Sequence, residues 1–273
     1  MARRARVDAE LVRRGMARSR EHAVELITAG RVLINGAVAS KAATAVETGT
    51  PLLVRTEPDE VSWASRGAHK LLGALAAFGP EGLTVAGRRC LDAGASTGGF
   101  TDVLLSEGAA HVVAVDVGYG QLVWRLQSDD RVTVLDRTNV RNLTPEAIGG
   151  PVELVVGDLS FISLGLVLPA LAACAAPGAD LVPMVKPQFE VGKDRVGSGG
   201  VVRDPALRAD AVLEVAAAAA ALGLRTRAVT ASPLPGPSGN VEYFLWLRNE
   251  GTVADDRAAV ATMVQRAVEE GPQ

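Results

Sequence analysis

From Gly67 to the C-terminus, short apolar runs alternate with stretches of helical period, and this alternation most narrows the folds open to the chain. The runs fall at 89–93, 111–116, 132–136, 153–158 and 180–185. Strands joined through helices must lie parallel, because a parallel return needs a long crossover. An amphipathic helix over 68–78 precedes the first run, and another over 204–222 follows the fifth. Two further strands, "RTRAVTAS" and "VEYFLWLR", are joined by "PLPGPSGN" with no helix between. The last strand is therefore predicted to run antiparallel to its neighbour. A helix over 255–269 ends the pattern. The expected fold class is α/β, with a mostly parallel seven-stranded sheet.

The first strand ends in a glycine-rich turn, "CLDAGASTGGFTDVLL", residues 90–105. A strand, a tight turn and a helix start form the usual seat of a nucleotide-like ligand. A phosphate-binding P-loop would need Lys after Gly99, where Phe100 and Thr101 stand. Glycines at 94, 98 and 99 also miss the G-x-G-x-x-G dinucleotide spacing. A short-chain dehydrogenase turn would place Gly at 100 and needs Tyr-x-x-x-Lys. Tyr119 and Tyr243 are followed four residues later by Val123 and Leu247. What remains, Asp-x-Gly-x-x-x-Gly, resembles the first motif of S-adenosylmethionine-dependent methyltransferases. That ligand has no phosphate to cradle, and its amino-acid tail lies close to backbone that glycine keeps open. In "HVVAVDVG", Asp116 ends the next strand about twenty residues on, the spacing of a ribose-binding acid. An otherwise parallel sheet with one late antiparallel strand is likewise the Rossmann-like, class I methyltransferase arrangement.

With 273 residues, the chain has room for one sizeable core and a small extra domain. Cys90 and Cys174 sit in apolar surroundings and read as buried thiols of a reducing cytosol, so a cytoplasmic location is expected. His22, His69 and His111 are scattered without metal-ligand spacing, so no metal is expected. "MARRARVDAE" has no apolar core of a signal peptide. "AVLEVAAAAAALGL" is short and holds Glu214. Pro169, Pro177, Gly178 and Asp180 should divide "LGLVLPALAACAAPGADLVPMV" into helix, turn and strand, so no membrane span is expected. The net charge of −3 hides a basic N-terminus: residues 1–20 carry seven arginines against Asp8 and Glu10. Such a terminus suits a polyanion partner.

In that N-terminal region, Leu11 and Val12 mark a short helix ended by Gly15. Ser19 caps a second helix carrying Ala23, Leu26 and Ile27 and ended by Gly30. "RVLINGAV" is a hairpin signal through Asn35-Gly36, and "PLLV" is a last strand. Over residues 6–55 this pattern resembles the S4 RNA-binding domain, a small α+β unit. The resemblance implies RNA contacts from Arg4, Arg6, Arg18, Arg20 and Lys41. "RTEPDEVSWASRG" then reads as a linker whose one large apolar residue is Trp63. The expected organisation is an S4-like domain at 1–59, a linker at 60–67 and a methyltransferase domain at 68–273.

Ligands of an open parallel sheet sit beyond the carboxyl ends of its strands. Asp158 ends "ELVVGD", Lys186 ends "LVPMVK", and Glu242 begins the reversed last strand, so all three fall on that edge. Lys70, in "SRGAHKLL", cannot be placed there by spacing. A Lys-Asp-Lys-Glu set in this order is typical of ribose 2′-O-methyltransferases related to FtsJ. "SRGAHKL", "DAGASTGGF", "DLSFIS", "VKPQFEVGK" and "PSGNVEYFLW" together are similar to the TlyA family, which pairs an S4 domain with an FtsJ-like domain. The resemblance implies Lys70, Asp158, Lys186 and Glu242 as catalytic residues. It implies S-adenosylmethionine on Asp92, Gly94, Ser96, Thr97, Gly98, Gly99, Phe100, Asp116, Val117, Asp136 and Asp158. A ribose hydroxyl must lose its proton as it attacks. Lys186 is the candidate base or positioner, with Lys70 supplying a second ammonium and the carboxylates orienting both.

The basic loop "QFEVGKDRVGSGGVVRD" carries Lys193, Arg195 and Arg203 and suits an RNA backbone; Lys193 and Arg195 are taken as RNA contacts. Members with an arginine-rich N-terminal extension methylate cytidines of both 16S and 23S rRNA, so ribosomal RNA within the subunits is the expected partner, with no protein partner evident. One departure stands in the linker: Val61-Ser62-Trp63-Ala64 replaces the family's Arg-Ala-Trp-Val, so a role resting on that arginine is not implied. The competing readings are a non-catalytic RNA-binding module and a membrane-active haemolysin. The complete Lys-Asp-Lys-Glu set argues against the first, and scarce aromatics with no basic amphipathic helix argue against the second.

Overall fold

Residues 7 to 27 place Val7, Leu11, Ala23, Leu26 and Ile27 at helical spacing, and all five are buried together. The computed structural model describes residues 4–17, 19–55, 62–251 and 256–272. It divides into two units, Met1–Ser62 and Trp63–Gln273. In the first, strand β1 (Arg4–Arg6) leads into helices α1 (Val7–Arg13) and α2 (Arg20–Thr28), followed by strands β2 (Val32–Ile34), β3 (Ala37–Val38), β4 (Ala45–Glu47) and β5 (Leu52–Val54). Ser19 caps α2 by accepting from the His22 amide at 3.1 Å. Asn35 and Gly36 both adopt positive φ, the mirror-image turn that a two-residue hairpin needs. Strands β3, β2 and β5 form one antiparallel sheet. A second pair, β1 with β4, is not anticipated by the sequence pattern. Each of these two strands is three residues long, too short to show a period of two.

The second unit begins with α3 (Gly67–Phe78) and continues through β6 (Arg89–Ala93), α4 (Gly99–Ser106), β7 (His111–Val115), α5 (Trp124–Gln127), β8 (Val132–Leu135), β9 (Val152–Gly157), α6 (Leu168–Cys174), β10 (Ala175–Val185), α7 (Pro187–Glu190), α8 (Pro205–Ala220), β11 (Leu224–Ala231), β12 (Tyr243–Asn249) and α9 (Arg257–Glu270). The seven strands lie in the order β11-β12-β10-β9-β6-β7-β8. Strand β12 is antiparallel to both neighbours, and the pairs among β10, β9, β6, β7 and β8 are parallel.

Alternation along the strands builds a core on each face. Cys90, Val112, Leu154, Val156, Met184, Phe244 and Trp246 pack with α3 and α4. Their neighbours Leu91, Val113, Val155, Leu181, Tyr243 and Leu245 pack with α6, α8 and α9. Both cysteines are free and buried within these layers.

One expected turn is corrected. Pro177 and Gly178 do not separate a helix from a strand starting at 180; β10 already begins at Ala175. Gly178 has φ +76°, and the register against β9 shifts between Ala175 and Asp180. A bulge thus absorbs the proline within the strand. Asn249 Nδ2 donates to the Ala175 and Ala176 carbonyls there. Among the described residues, no helix is long and apolar enough to cross a membrane.

Candidate active site

Sheet register alone brings the candidate chemistry to one edge. Ala93 pairs with Gly157 and Val185 pairs with Tyr243. Gly94, Asp158, Lys186 and Glu242 are therefore the residues just past, or just before, four strand ends on the same edge. Gly94, Asp158 and Lys186 line a cleft of ≈ 280 Å³, whose walls also include Lys70, Ser96, Thr97, Gly99 and Phe100; Glu242 is not part of the wall but pairs with Lys70, which is. A larger depression of ≈ 480 Å³ lies against β11 and α9, and none of these four strand-end residues lines it. Convergent charge, rather than volume, marks the site.

The four candidate catalytic side chains form two ion pairs. Lys70 Nζ lies 2.5 Å from Glu242 Oε2, and both residues are almost fully buried. Lys186 Nζ lies 2.5 Å from Asp158 Oδ1 and donates to Ser160 Oγ at 2.7 Å. Helix α3 delivers Lys70, the placement that spacing could not supply. Gly236 lets the β11–β12 loop pass over Glu242, since a Cβ there would stand 2.6 Å from Glu242 Oε1. Asn240, buried at the base of that loop, accepts from the Val202 amide and donates to the Gly200 carbonyl. The glycine-rich loop at 197–203 is thereby tied to the entry of β12.

The turn after β6 fits a ligand with an amino-acid tail and a ribose. Gly94 has φ +87°, and a Cβ would come within 2.9 Å of the Asp158 carbonyl oxygen. Only a bare backbone fits there, and the Gly94 and Ala95 amides both donate to the Val115 carbonyl, at 2.8 and 3.0 Å, which pins the turn to the end of β7. Asp116 stands at the rim: its Oδ2 accepts from the Ser96 amide at 2.8 Å and its Oδ1 from Gly118 at 2.7 Å. Each oxygen retains acceptor capacity for a hydroxyl. Asp136 accepts from the Gly120 amide, and Val117 between them is exposed.

Five of the expected cofactor residues, Asp92, Gly98, Asp116, Val117 and Asp136, do not line this cleft, and two of them have evident structural roles. Asp92 is fully buried beneath the turn, where Thr101 Oγ1 donates to its Oδ2 at 2.7 Å. Burial pushes its carboxyl up to about 7. Gly98 turns its open side to Leu122 and Leu126, not to the cleft. A glycine serving helix packing and one serving ligand approach look alike in sequence.

Ser65, Arg66, Ser160 and Pro237 also line the cleft; each lies within a quoted motif, but the sequence singles out none of them as a site residue. The first two lie in the stretch expected as linker. Trp63 packs on the core under α3, and the Ala64 amide donates to Asp102 Oδ2 at 2.8 Å. Arg125 forks onto the same carboxylate.

In the first unit, buried carboxylates hold the candidate RNA-binding arginines. Asp8 pairs with Arg6 at 2.9 Å and Arg20 at 3.0 Å; Glu10 pairs with Arg13 and Arg14. These guanidiniums hold the Asp8 and Glu10 carboxyls down at about 2. Arg4 reaches Glu47 at 3.7 Å, and Lys41 is exposed. Arg18 lies outside the described residues. Lys193 and Arg195 share one turn of 3₁₀ helix, where Arg195 Nε donates to the Val191 carbonyl. Arg203, in the same loop, donates to the Ser198 carbonyl.

Comparison with known proteins agrees with this architecture. Residues 63–249 match the FtsJ-like methyltransferase family, and residues 5–52 match the S4 domain. The 16S/23S rRNA (cytidine-2′-O)-methyltransferase TlyA of Mycobacterium tuberculosis is 66% identical over the full length of both chains. YqxC of Bacillus subtilis is 41% identical, covering 97% of this chain and 93% of its own. A solved structure from Streptococcus thermophilus, bearing the name hemolysin, superposes with a TM-score of 0.76 at 36% identity over 99% of this chain and 98% of its own. With an S4 domain ahead of an FtsJ-like domain and this identity along its whole length, the chain belongs to the TlyA family of FtsJ-like methyltransferases.

Proposed function

We propose that this protein methylates cytidine ribose 2′-hydroxyls in 16S and 23S rRNA, within ribosomal subunits in the cytoplasm, using S-adenosylmethionine. The observation that carries the reading is the convergence of Lys70–Glu242 and Lys186–Asp158 beside the glycine turn. When bound, the cofactor supplies a methyl group on a sulfonium, and its transfer to the ribose oxygen leaves a neutral thioether. Asp116 would hold the cofactor's ribose, and the cleft lined by the Gly94–Thr97 turn would receive its amino-acid tail. Lys186 meets the 2′-hydroxyl and, as the free amine, takes its proton as the oxygen attacks. Asp158 fixes the direction of that nitrogen. Lys70, held by Glu242, places a second cation at the mouth. Much of the rate comes from aligning oxygen, methyl carbon and sulfur, an orientation effect.

The substrate reading rests on the relative from M. tuberculosis, whose name specifies both rRNAs, and on the S4 domain. The Asp8 and Glu10 clusters support it, since arginines held in fixed positions suit a phosphate backbone. The test is incubation of purified protein with unmodified 30S and 50S subunits and methyl-labelled cofactor, followed by mapping of 2′-O-methyl positions. Label on cytidines is expected, and it should vanish in Lys186→Ala while cofactor affinity holds. Absence of label from both subunits, or label on bases instead of riboses, overturns the reading.

A further inference from the structure

Lys186 and Lys70 are not equivalent. Lys70 donates to Glu242 Oε2 at 2.5 Å. Lys186 donates to the hydroxyl of Ser160 at 2.7 Å, while Asp158 Oδ1, 2.5 Å away, pairs with it by charge and among the described residues accepts no hydrogen bond. The Lys186 residue is only 7% exposed, so its N–H groups depend on protein acceptors. A lysine nitrogen presents three directions besides its bond to carbon: three N–H groups as the ammonium, two and a lone pair as the free amine that takes the proton. With one held by the Ser160 hydroxyl and one facing Asp158, the third is left for the cleft that Lys186, Asp158 and Ser160 jointly line.

The loop carrying Ser160 is fixed at several points. Phe161 adopts φ +63°, uncommon for a bulky side chain, and its ring packs on Phe189 at 5.2 Å. Glu190 accepts from Ser163 Oγ at 2.6 Å and from the Leu164 amide at 2.8 Å. Phe189 and Glu190 belong to α7, the helix that starts immediately after Lys186. The hydroxyl and the lysine are thus held by one rigid assembly. Ser160 itself is exposed, so its side chain contributes little to the core.

We infer that Ser160 is a positioning residue for Lys186: its hydroxyl prevents the ammonium from collapsing onto Asp158 alone and aims the free nitrogen direction at the ribose oxygen. This rests on the methyltransferase reading above. Without the hydroxyl, the nitrogen relaxes toward the carboxylate and away from the substrate.

The test compares wild type, Ser160→Ala, Ser160→Thr and Lys186→Ala in the full-length protein on ribosomal subunits. Ser160→Ala should lower kcat by about tenfold to a hundredfold, the scale of a misplacement near 1 Å. The KM for subunits, the calorimetric affinity for S-adenosylmethionine and the thermal midpoint should stay at wild-type values. Ser160→Thr, which keeps the hydroxyl, should restore most of kcat. A wild-type kcat in Ser160→Ala overturns the inference. So does a loss that Thr fails to rescue or that comes with weakened cofactor binding, because either marks a general role in loop structure. If Lys186→Ala is inactive and Ser160→Ala is normal, only this inference falls. If wild type itself transfers no methyl to either subunit, the methyltransferase reading falls with it.

Discussion

Asp116 already accepts two backbone amides before any ligand arrives, so its carboxylate is aimed by the fold and not by the cofactor. Asp116→Ala should weaken S-adenosylmethionine binding by about 1.5–3 kcal/mol, the range for hydrogen bonds to a charged group. Titration calorimetry reads this directly, and wild-type affinity would remove Asp116 from the site. Asp92 has a different role. Its carboxyl titrates at about 7 in the fold, raised by burial, against about 3.9 in an unfolded chain. Between those values the folded state keeps a proton that the unfolded state has lost, so stability falls as pH rises from about 4 to about 7 and is level above. Asp92→Asn should raise the thermal midpoint at pH 8 and change it little at pH 4. A melting series across that range checks it, and an equal effect at both ends would contradict it. Neither role is legible in the letters D-x-G, because burial depth depends on which strand lies on either side.

At the level of elements, the glycine turn joins three helices. Gly98 has φ +103°, and a Cβ there would run into the side chains of Leu122 and Leu126 beside α5. Gly98→Ala should therefore destabilise the protein by about 1–3 kcal/mol through backbone strain and overpacking. Urea unfolding measures this; an unchanged midpoint would mean that the two leucines yield freely. The strands and helices of the second unit are readable because β6, β7, β9, β10 and β12 are buried on both faces over most of their length and each long helix on one. The reversal of β12 is readable from the missing helix before it, and with it the position of Glu242. Signals fail where a contact depends on a single residue. Ser65 and Arg66 sit in a stretch that looks like a tether, yet the Ala64–Asp102 hydrogen bond draws that stretch onto α4 and into the cleft wall. Ser160 precedes an aromatic residue on an irregular loop, where no period exists to betray it. Asn240 reads as a turn residue and is in fact a buried tie between two loops.

For the whole molecule, the proposed RNA anchor and the proposed chemistry lie in different units. Arg6 and Arg20 share Asp8, yet 50% and 60% of their side-chain surfaces stay exposed. Changing both to Ala should weaken subunit binding and flatten its salt dependence, by about 0.7–0.9 in slope for each phosphate no longer neutralised. Cofactor affinity should be untouched, and activity should recover in part at saturating subunits. Binding across a salt series is the measurement; wild-type affinity and slope would show that these arginines are not the anchor. The sheet order also dictates when activity can begin. Among the described residues strand β11 pairs only with β12, and the Lys70–Glu242 pair spans 172 residues of chain. Neither can form until the final strand has been made and inserted, and partners so distant in sequence meet slowly. A chain that has not yet formed β12 lacks Glu242, and with it one of the two ion pairs at the site.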